Sequence, residues 1–322
     1  MPDVIILRSS LAKRFAVSMA GLVALTACGS AALLHEEERL TFRVVRETPG
    51  WYQGLPDGVE EFDLRVGNAA DAQRVHAWWW PAANPNAPAV LYLHGARWSL
   101  TGQVFRLEQL REFGFSVLAI DYRGFGKSDG EVPSERTVYE DARVAWDWLA
   151  DRQPNPGKRF IYGHSLGGAV AVDLAAALSG VAPHDGPAPS GAAAPGGVMP
   201  AAGLIIESTF TTLADMAKEV TWVPVGVLLS QKFDSVSKMA KVNIPVLVVH
   251  GAADRFVPSR FSQALYDAAT AKKKLLLVEG GGHNNSMRAG ADDYRRAMSE
   301  LFGLGAQSEP AGARRTPRGF RG

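Results

Sequence analysis

Arg159-Phe160-Ile161-Tyr162-Gly163-His164-Ser165-Leu166-Gly167-Gly168 is the stretch whose reading decides the fold. A short apolar run stops at Gly163, and a helical pattern (Ala169, Val170, Val172, Leu174, Ala175) begins as soon as the serine is passed. Gly-x-Ser-x-Gly between a strand and a helix implies a sharp turn that holds its serine in a strained backbone conformation. A side chain two positions to either side of Ser165 would clash in such a turn, and Gly163 and Gly167 remove that clash. The helix behind Ser165 aims its unpaired N–H groups, the positive end of its dipole, at the space above the hydroxyl.

Outward from this turn the chain alternates between strands and helices. On the amino-terminal side lie two continuous apolar strands, Ala89 to Gly95 and Phe115 to Ile120, of the kind found where both faces of a parallel sheet are covered. Helices are expected over about Gln103 to Phe113 and Ser134 to Arg152, the second from the spacing of Val138, Ala142, Ala145, Trp146 and Leu149. Further upstream, Glu61 to Val66 and Val75 to Trp80 read as an antiparallel hairpin, with His76 and Trp78-Trp79-Trp80 as packing residues. On the carboxyl-terminal side, strands are expected at Ala202 to Glu207, Ile244 to His250 and Lys274 to Val278, with helices from about Ser259 and near Asp292 to Phe302. The sum is an α/β fold: a mostly parallel, doubly wound sheet flanked by helices, with a small helical cap over 211–242. Gly180 to Pro200 is rich in Gly, Ala, Pro and Ser with almost no large apolar residue, and reads as a disordered surface insertion. The folded domain spans 51–305, and the arginine-bearing tail 306–322 reads as an unfolded basic terminus.

A serine hydroxyl is a weak nucleophile at its free pKa and needs a base oriented by a third group. In this architecture the partners follow in the order Ser, Asp/Glu, His, each on a loop beyond a strand. Asp254 lies just past one expected strand and His283, in Gly280-Gly281-Gly282-His283-Asn284, just past the next. Of the seven histidines, His283 alone follows an acid in that order at a strand end. His94, His164 and His250 each adjoin a glycine at a strand end and read as turn-shaping residues. Glu207, past the preceding strand, is the alternative acid. An oxyanion forming on the attacked group needs two fixed N–H donors. The first is the backbone N–H of Leu166, and the second comes from the His94-Gly95-Ala96 turn, at Ala96. Gly126-Lys127-Ser128 is not a phosphate loop, because Asp121 stands where that motif needs its first glycine.

With LYLHG, DYRGFGKSDG, GHSLGG, ESTF, HGAADRFVP and GGHN in place, the chain resembles the α/β-hydrolase fold superfamily over roughly residues 50–305. It is most similar to the membrane-associated branch that includes protein depalmitoylases and monoacylglycerol or lysophospholipid hydrolases. That resemblance implies a serine hydrolase acting on carboxylic esters or thioesters, with Ser165, Asp254 and His283 as triad and Ala96 and Leu166 as oxyanion donors. It implies a small acyl-ester substrate and no cofactor or metal. A short-peptide aminopeptidase and a tethered, non-catalytic binding protein are the other readings. The chain departs from the family pattern in the 180–200 insertion and in Ala96-Arg97-Trp98, where many relatives carry Asn-Ala-Gly.

Composition narrows the setting. A chain of 322 residues with 47% hydrophobic and 21% charged residues can bury a full core, and its net charge of +1 gives no reason to expect a nucleic-acid partner. The single cysteine, Cys28, excludes an intrachain disulfide and any multi-cysteine metal site. Arg8, Lys13 and Arg14 precede an apolar run, Phe15 to Leu25, too short to span a bilayer. Leu25-Thr26-Ala27-Cys28-Gly29 then resembles a bacterial lipobox. Residues 1–27 are therefore expected to be a lipoprotein signal peptide, with Cys28 lipidated and 28–50 a tether leading into the fold. In that stretch, His35-Glu36-Glu37-Glu38-Arg39 reads as a solvated spacer, lacking the second histidine of a zinc motif. The expected location is the bacterial cell envelope, facing the periplasm or exterior. Gly29 in place of an aspartate points to the outer membrane, and a monomer is expected.

Overall fold

The apolar runs become the centre of one sheet. A computed structural model describes residues 29–68, 71–180, 201–221, 226 and 228–304. The expected signal peptide, Cys28, residues 181–200 of the expected insertion and the basic tail lie outside them. Eight strands are present among the described residues: β1 Glu60–Val66, β2 Gln73–Trp80, β3 Ala89–Leu93, β4 Ser116–Ile120, β5 Arg159–His164, β6 Gly203–Glu207, β7 Val246–Gly251 and β8 Lys273–Val278. They join in the order β1-β2-β4-β3-β5-β6-β7-β8. β1 pairs antiparallel with β2, and β2 with β4; every other pairing is parallel.

Successive residues of a strand face opposite sides, so a continuous apolar strand needs cover on both. Leu91 and Leu93 of β3 join one hydrophobic cluster; Val90 and Tyr92 join the other. The first cluster is covered by α3 (Glu135–Arg152) and α4 (Leu166–Leu178) together with α6 (Ser235–Met239) and α7 (Arg260–Ala268). The second is covered by α2 (Val104–Glu112) and α9 (Ala291–Phe302). Ser134 starts α3 with a reciprocal capping box to Thr137, and Val138, Ala142, Ala145, Trp146 and Leu149 are the apolar residues it buries, beside Asp141. Buried from Leu166 to Ala176, α4 is built of Gly, Ala, Val and Leu apart from Asp173, so it can lie close to β5.

Two stretches differ from their sequence reading. The expected tether at 28–50 contains a helix, α1 (Gly29–Phe42), which takes in the expected spacer His35 to Arg39. Its charged middle conceals what fixes it. Glu37 accepts hydrogen bonds from the backbone N–H groups of Ser230 and Gln231, at 2.9 and 2.7 Å. Phe42 is fully buried against Phe125 and Phe233. Just beyond, Arg97 donates its N–H to Phe42 O (2.9 Å) and accepts from Val45 N (2.7 Å), so this segment straps the loop that follows β3. The expected cap at 211–242 is divided. Its α5 (Leu213–Val220), capped by Thr212, buries no residue, whereas Phe233, Met239 and Val242 belong to the core. Trp222, Val223, Val225 and Val227 lie outside the described residues.

His76, on β2, has a charged role. Its Nδ1 lies 3.0 Å from Asp121 Oδ2 and its Nε2 2.7 Å from Glu61 Oε1. Carboxylates only accept, so both ring nitrogens carry hydrogen. Burial works against that charge, but the two carboxylates outweigh it and raise the His76 pKa above its ordinary value. Asp121 also accepts the N–H of Leu100 at 2.8 Å, tying β2 to the loop strapped by α1. A group whose pKa rises on folding stabilises most while it is protonated in both states, and that stabilisation fades as pH climbs through the folded value. The destabilisation caused by His76→Gln, read by denaturant titration, is therefore expected to be largest below about pH 6.5 and to shrink on going alkaline. A pH-independent difference would contradict the ion-pair assignment.

Candidate active site

The strand-to-helix turn is built from close contacts. Ser165 sits at φ 55° and ψ −124°, a conformation costly for any residue with a side chain. It is held there by Ser165 N–H donating to Glu207 O and by Ser165 O accepting from Gly168 N, both at 2.9 Å. A Cβ at Gly163 would overlap the carbonyl of Gly167, and one at Gly167 would overlap that of Leu93. These are buried backbone atoms of α4 and β3, so nothing can yield. The half-buried Ser165 hydroxyl consequently stands above the carboxyl edge of β5, at the first turn of α4.

Two loops reach that edge from β7 and β8. They approach so closely that a Cβ at Gly251 would overlap the carbonyl of Gly281, and Ala253 N–H donates to Gly281 O at 2.8 Å. This contact brings Asp254 to His283. Asp254 Oδ2 lies 2.8 Å from His283 Nδ1, and His283 Nε2 lies 3.1 Å from Ser165 Oγ. The carboxylate's other oxygen accepts the N–H groups of Phe256 and Val257, at 2.8 and 3.0 Å. Burial works to raise the Asp254 pKa, but His283 and these amides outweigh it and hold the carboxyl below its usual range. A charged acceptor at Nδ1 fixes the neutral imidazole as the Nδ1–H tautomer. The lone pair of Nε2 then faces the serine hydroxyl. Ser165, Asp254 and His283 are thus brought together from three loops.

Leu166 is the first residue of α4, whose leading N–H groups have no partner within the helix. The Gly95-Ala96 turn lies directly alongside: a Cβ on Gly95 would stand 3.0 Å from Ser165 Cβ and 3.3 Å from His164 O. Leu166 follows Ser165 and Ala96 follows Gly95, so both residues expected to bind an oxyanion are chain neighbours of this contact. Arg97, at φ 82°, is the next strained position and is the one strapped by residues 42–45.

Glu207, the alternative acid, points elsewhere. Its backbone carbonyl serves the turn, but its side chain is fully buried in an ion pair with Arg106 and receives the hydroxyls of Tyr162 and Ser286. Arg106 was invisible in the sequence as a functional residue, since a charged position on an ordinary helix reads as solvated. The three glycine-flanking histidines all brace turns. His250 Nε2 donates to Val257 O at 2.9 Å and His94 Nδ1 lies 2.6 Å from Gly95 O. His164 Nε2 donates to the backbone carbonyl of His283 at 2.9 Å. Burial, reinforced by the charge of Arg106 and the nearby His283, pushes the His164 pKa far below its usual value, so it serves as a neutral donor. Phe256 stands exposed over the site with its ring 5.6 Å from that of His283. Among the described residues no cluster of three or more His, Cys, Asp or Glu could hold a metal ion.

Residues 90–297 match the alpha/beta hydrolase family. An uncharacterized protein of Mycobacterium tuberculosis is 32% identical over 265 residues, covering 81% of this chain and 85% of its own. The lysophosphatidylserine lipase ABHD12 of Danio rerio is 30% identical over 236 residues, covering 68% of this chain and 55% of its own. Among solved structures, an esterase of Pyrococcus furiosus superposes with a TM-score of 0.58 at 18% identity, covering 80% of this chain and 99% of its own. At that identity the superposition speaks for the fold.

The geometry makes a test of the tautomer direct. Asp254→Asn offers His283 Nδ1 an amide in place of a full negative charge and permits the wrong tautomer. Labelling of Ser165 by a fluorophosphonate is expected to slow by roughly 10³–10⁴-fold, the scale such a change has in a triad of this kind. Unaltered labelling kinetics in the folded variant would remove Asp254 from the role.

Proposed function

The chain belongs to the alpha/beta hydrolase family, and on that premise we propose that it is a serine hydrolase cleaving carboxylic esters or thioesters through an acyl-enzyme on Ser165. The observation that carries this reading is the continuous line Asp254–His283–Ser165, at 2.8 and 3.1 Å, ending on a strained serine at a helix N-terminus.

In the first half-reaction Ser165 Oγ attacks the carbonyl carbon while its proton passes to His283 Nε2. The oxygen of the attacked carbonyl becomes an oxyanion facing the N–H groups of Leu166 and Ala96, and Asp254 balances the imidazolium. Collapse of the tetrahedral intermediate breaks the bond to the leaving alcohol or thiol, which takes the proton from His283 Nε2. Water then attacks the acyl-serine by the same path in reverse, giving the free acid and the restored hydroxyl. An acyl-lipid-like substrate is supported by the identity to a lysophosphatidylserine lipase and by the exposed Phe256 beside the histidine.

The same proposal places the enzyme on a bacterial envelope membrane, facing the periplasm or exterior, through acylation of Cys28. Several acyl chains on one cysteine give durable attachment where a single chain is marginal. The first residues described after Cys28 form α1, which leads directly to the strap beside Ala96. Among the described residues no helix is long and apolar enough to cross a membrane.

Ser165→Ala is expected to lower turnover of p-nitrophenyl esters by about 10³-fold or more, and a series of increasing acyl length assayed on the purified protein would define the substrate class. Hydrolysis at the wild-type rate by Ser165→Ala would end this reading. For the anchor, Cys28→Ser is expected to move the protein from the membrane pellet to the soluble fraction, and unchanged sedimentation would refute lipidation.

A further inference from the structure

Beneath the loop that carries His283 lies a buried ion pair that the proposed chemistry does not use. Arg106, from α2, is 1% exposed and Glu207, at the end of β6, not at all. Arg106 Nη1 meets Glu207 Oε2 at 2.5 Å, while Nη2 donates to the backbone carbonyl of His283 at 3.2 Å. That carbonyl also accepts from His164 Nε2 at 2.9 Å. Three residues on, Ser286 opens the short helix α8 (Ser286–Ala289), and its hydroxyl donates to Glu207 Oε1. Tyr162 donates its hydroxyl to Oε2. Both ends of the 283–286 turn therefore hang on one guanidinium–carboxylate pair.

Taking both charges of such a pair out of water is costly, and well-packed apolar residues of similar volume stabilise a core at least as well. Fold stability alone does not account for it here. A guanidinium does what an apolar side chain cannot, and does it from a fixed plane where an ammonium is a point charge on a flexible stem: its fork serves two acceptors at once. One is Glu207 and the other is the peptide whose Cα bears the imidazole. Rotation of that peptide would swing Nε2 away from Ser165 Oγ, and displacement on the order of 1 Å costs about 10²-fold in rate.

We propose that Arg106 and Glu207 are positioning residues that hold His283 in line with Ser165. The inference rests on the serine-hydrolase reading above. Its test uses the paired substitution Arg106→Met with Glu207→Gln, which leaves no buried charge without a partner, and separately Ser286→Ala, which keeps both charges. The paired variant is expected to lose about 10² in kcat at unchanged KM, with its thermal melting retained. Ser286→Ala is expected to lose about tenfold in kcat, the equivalent of one ordinary hydrogen bond. Arg106→Lys, lacking the fork, is expected to behave like the paired variant and not to rescue it. A proton spectrum supplies a readout that fold integrity alone would not move. The far-downfield resonance of the His283 Nδ1–H bonded to Asp254 is expected to broaden or vanish in the paired variant and to persist in the wild type. Full kcat and an unchanged resonance in a folded paired variant would overturn the proposal. Should the paired variant not fold, Ser286→Ala with wild-type kcat and resonance would overturn it equally. A wild-type protein without esterase turnover or fluorophosphonate labelling would instead overturn the serine-hydrolase reading, and the positioning role with it.

Discussion

The structure depends on how closely backbone can approach backbone at the end of β5. Ser165 keeps its left-handed conformation only because the chain on either side carries no Cβ where Gly163 meets Gly167 and where Gly167 meets Leu93. The strain is local, but the surrounding sheet over-determines it. β5 lies between β3 and β6 in the interior of the sheet, and the turn is hydrogen-bonded to the last residue of β6. Once that turn is fixed, the parallel arrangement of β3, β5, β6, β7 and β8 delivers the loops at their carboxyl ends to the same edge. Convergence of residues more than a hundred positions apart is then a property of strand direction and needs no special device.

Much of the fold was legible for that reason. Short apolar runs that alternate with helical patterns read as doubly covered parallel strands whose following loops share an edge, so Ser165, Asp254 and His283 could be assigned from their order along the chain. Strand parity is why Glu207, the alternative acid, turns away from the serine. Ile205 faces the cluster under α2 and α9, and Glu207, two residues on, shares that side and meets Arg106 there. Tyr162 and His164 follow the same rule one strand away. Arg106 and Glu207 are 101 positions apart, and nothing in either neighbourhood announces the other. A charge run hid α1 in a different way. Glu36 to Arg39 read as solvated, yet Glu37 within that run accepts backbone N–H groups from Ser230 and Gln231, and Phe42 at the end of the helix fills the core.

The buried histidines show how one side chain is put to opposite uses by its surroundings. His76 lies between two carboxylates and is drawn toward the charged form. His164 and His250 are buried against backbone carbonyls, their pKa values pushed down, and act as fixed neutral donors. His283 has a carboxylate on one nitrogen and a hydroxyl on the other, an arrangement that defines a direction for proton movement.

The strap formed by residues 42–45 changes what the amino-terminal segment means for anyone handling this protein. A linker can be shortened, replaced by glycine and serine, or cleaved without touching the domain it leads to. Here helix α1 runs into Phe42, which fills the core, and Phe42 and Val45 hydrogen-bond Arg97 in the loop beside Ala96. Trimming or fusion for expression must therefore respect α1, whose Glu37 and Phe42 are tied to the domain, and not only the first strand at Glu60. A preparation cut after that helix would lose contacts that hold the loop beside Ser165.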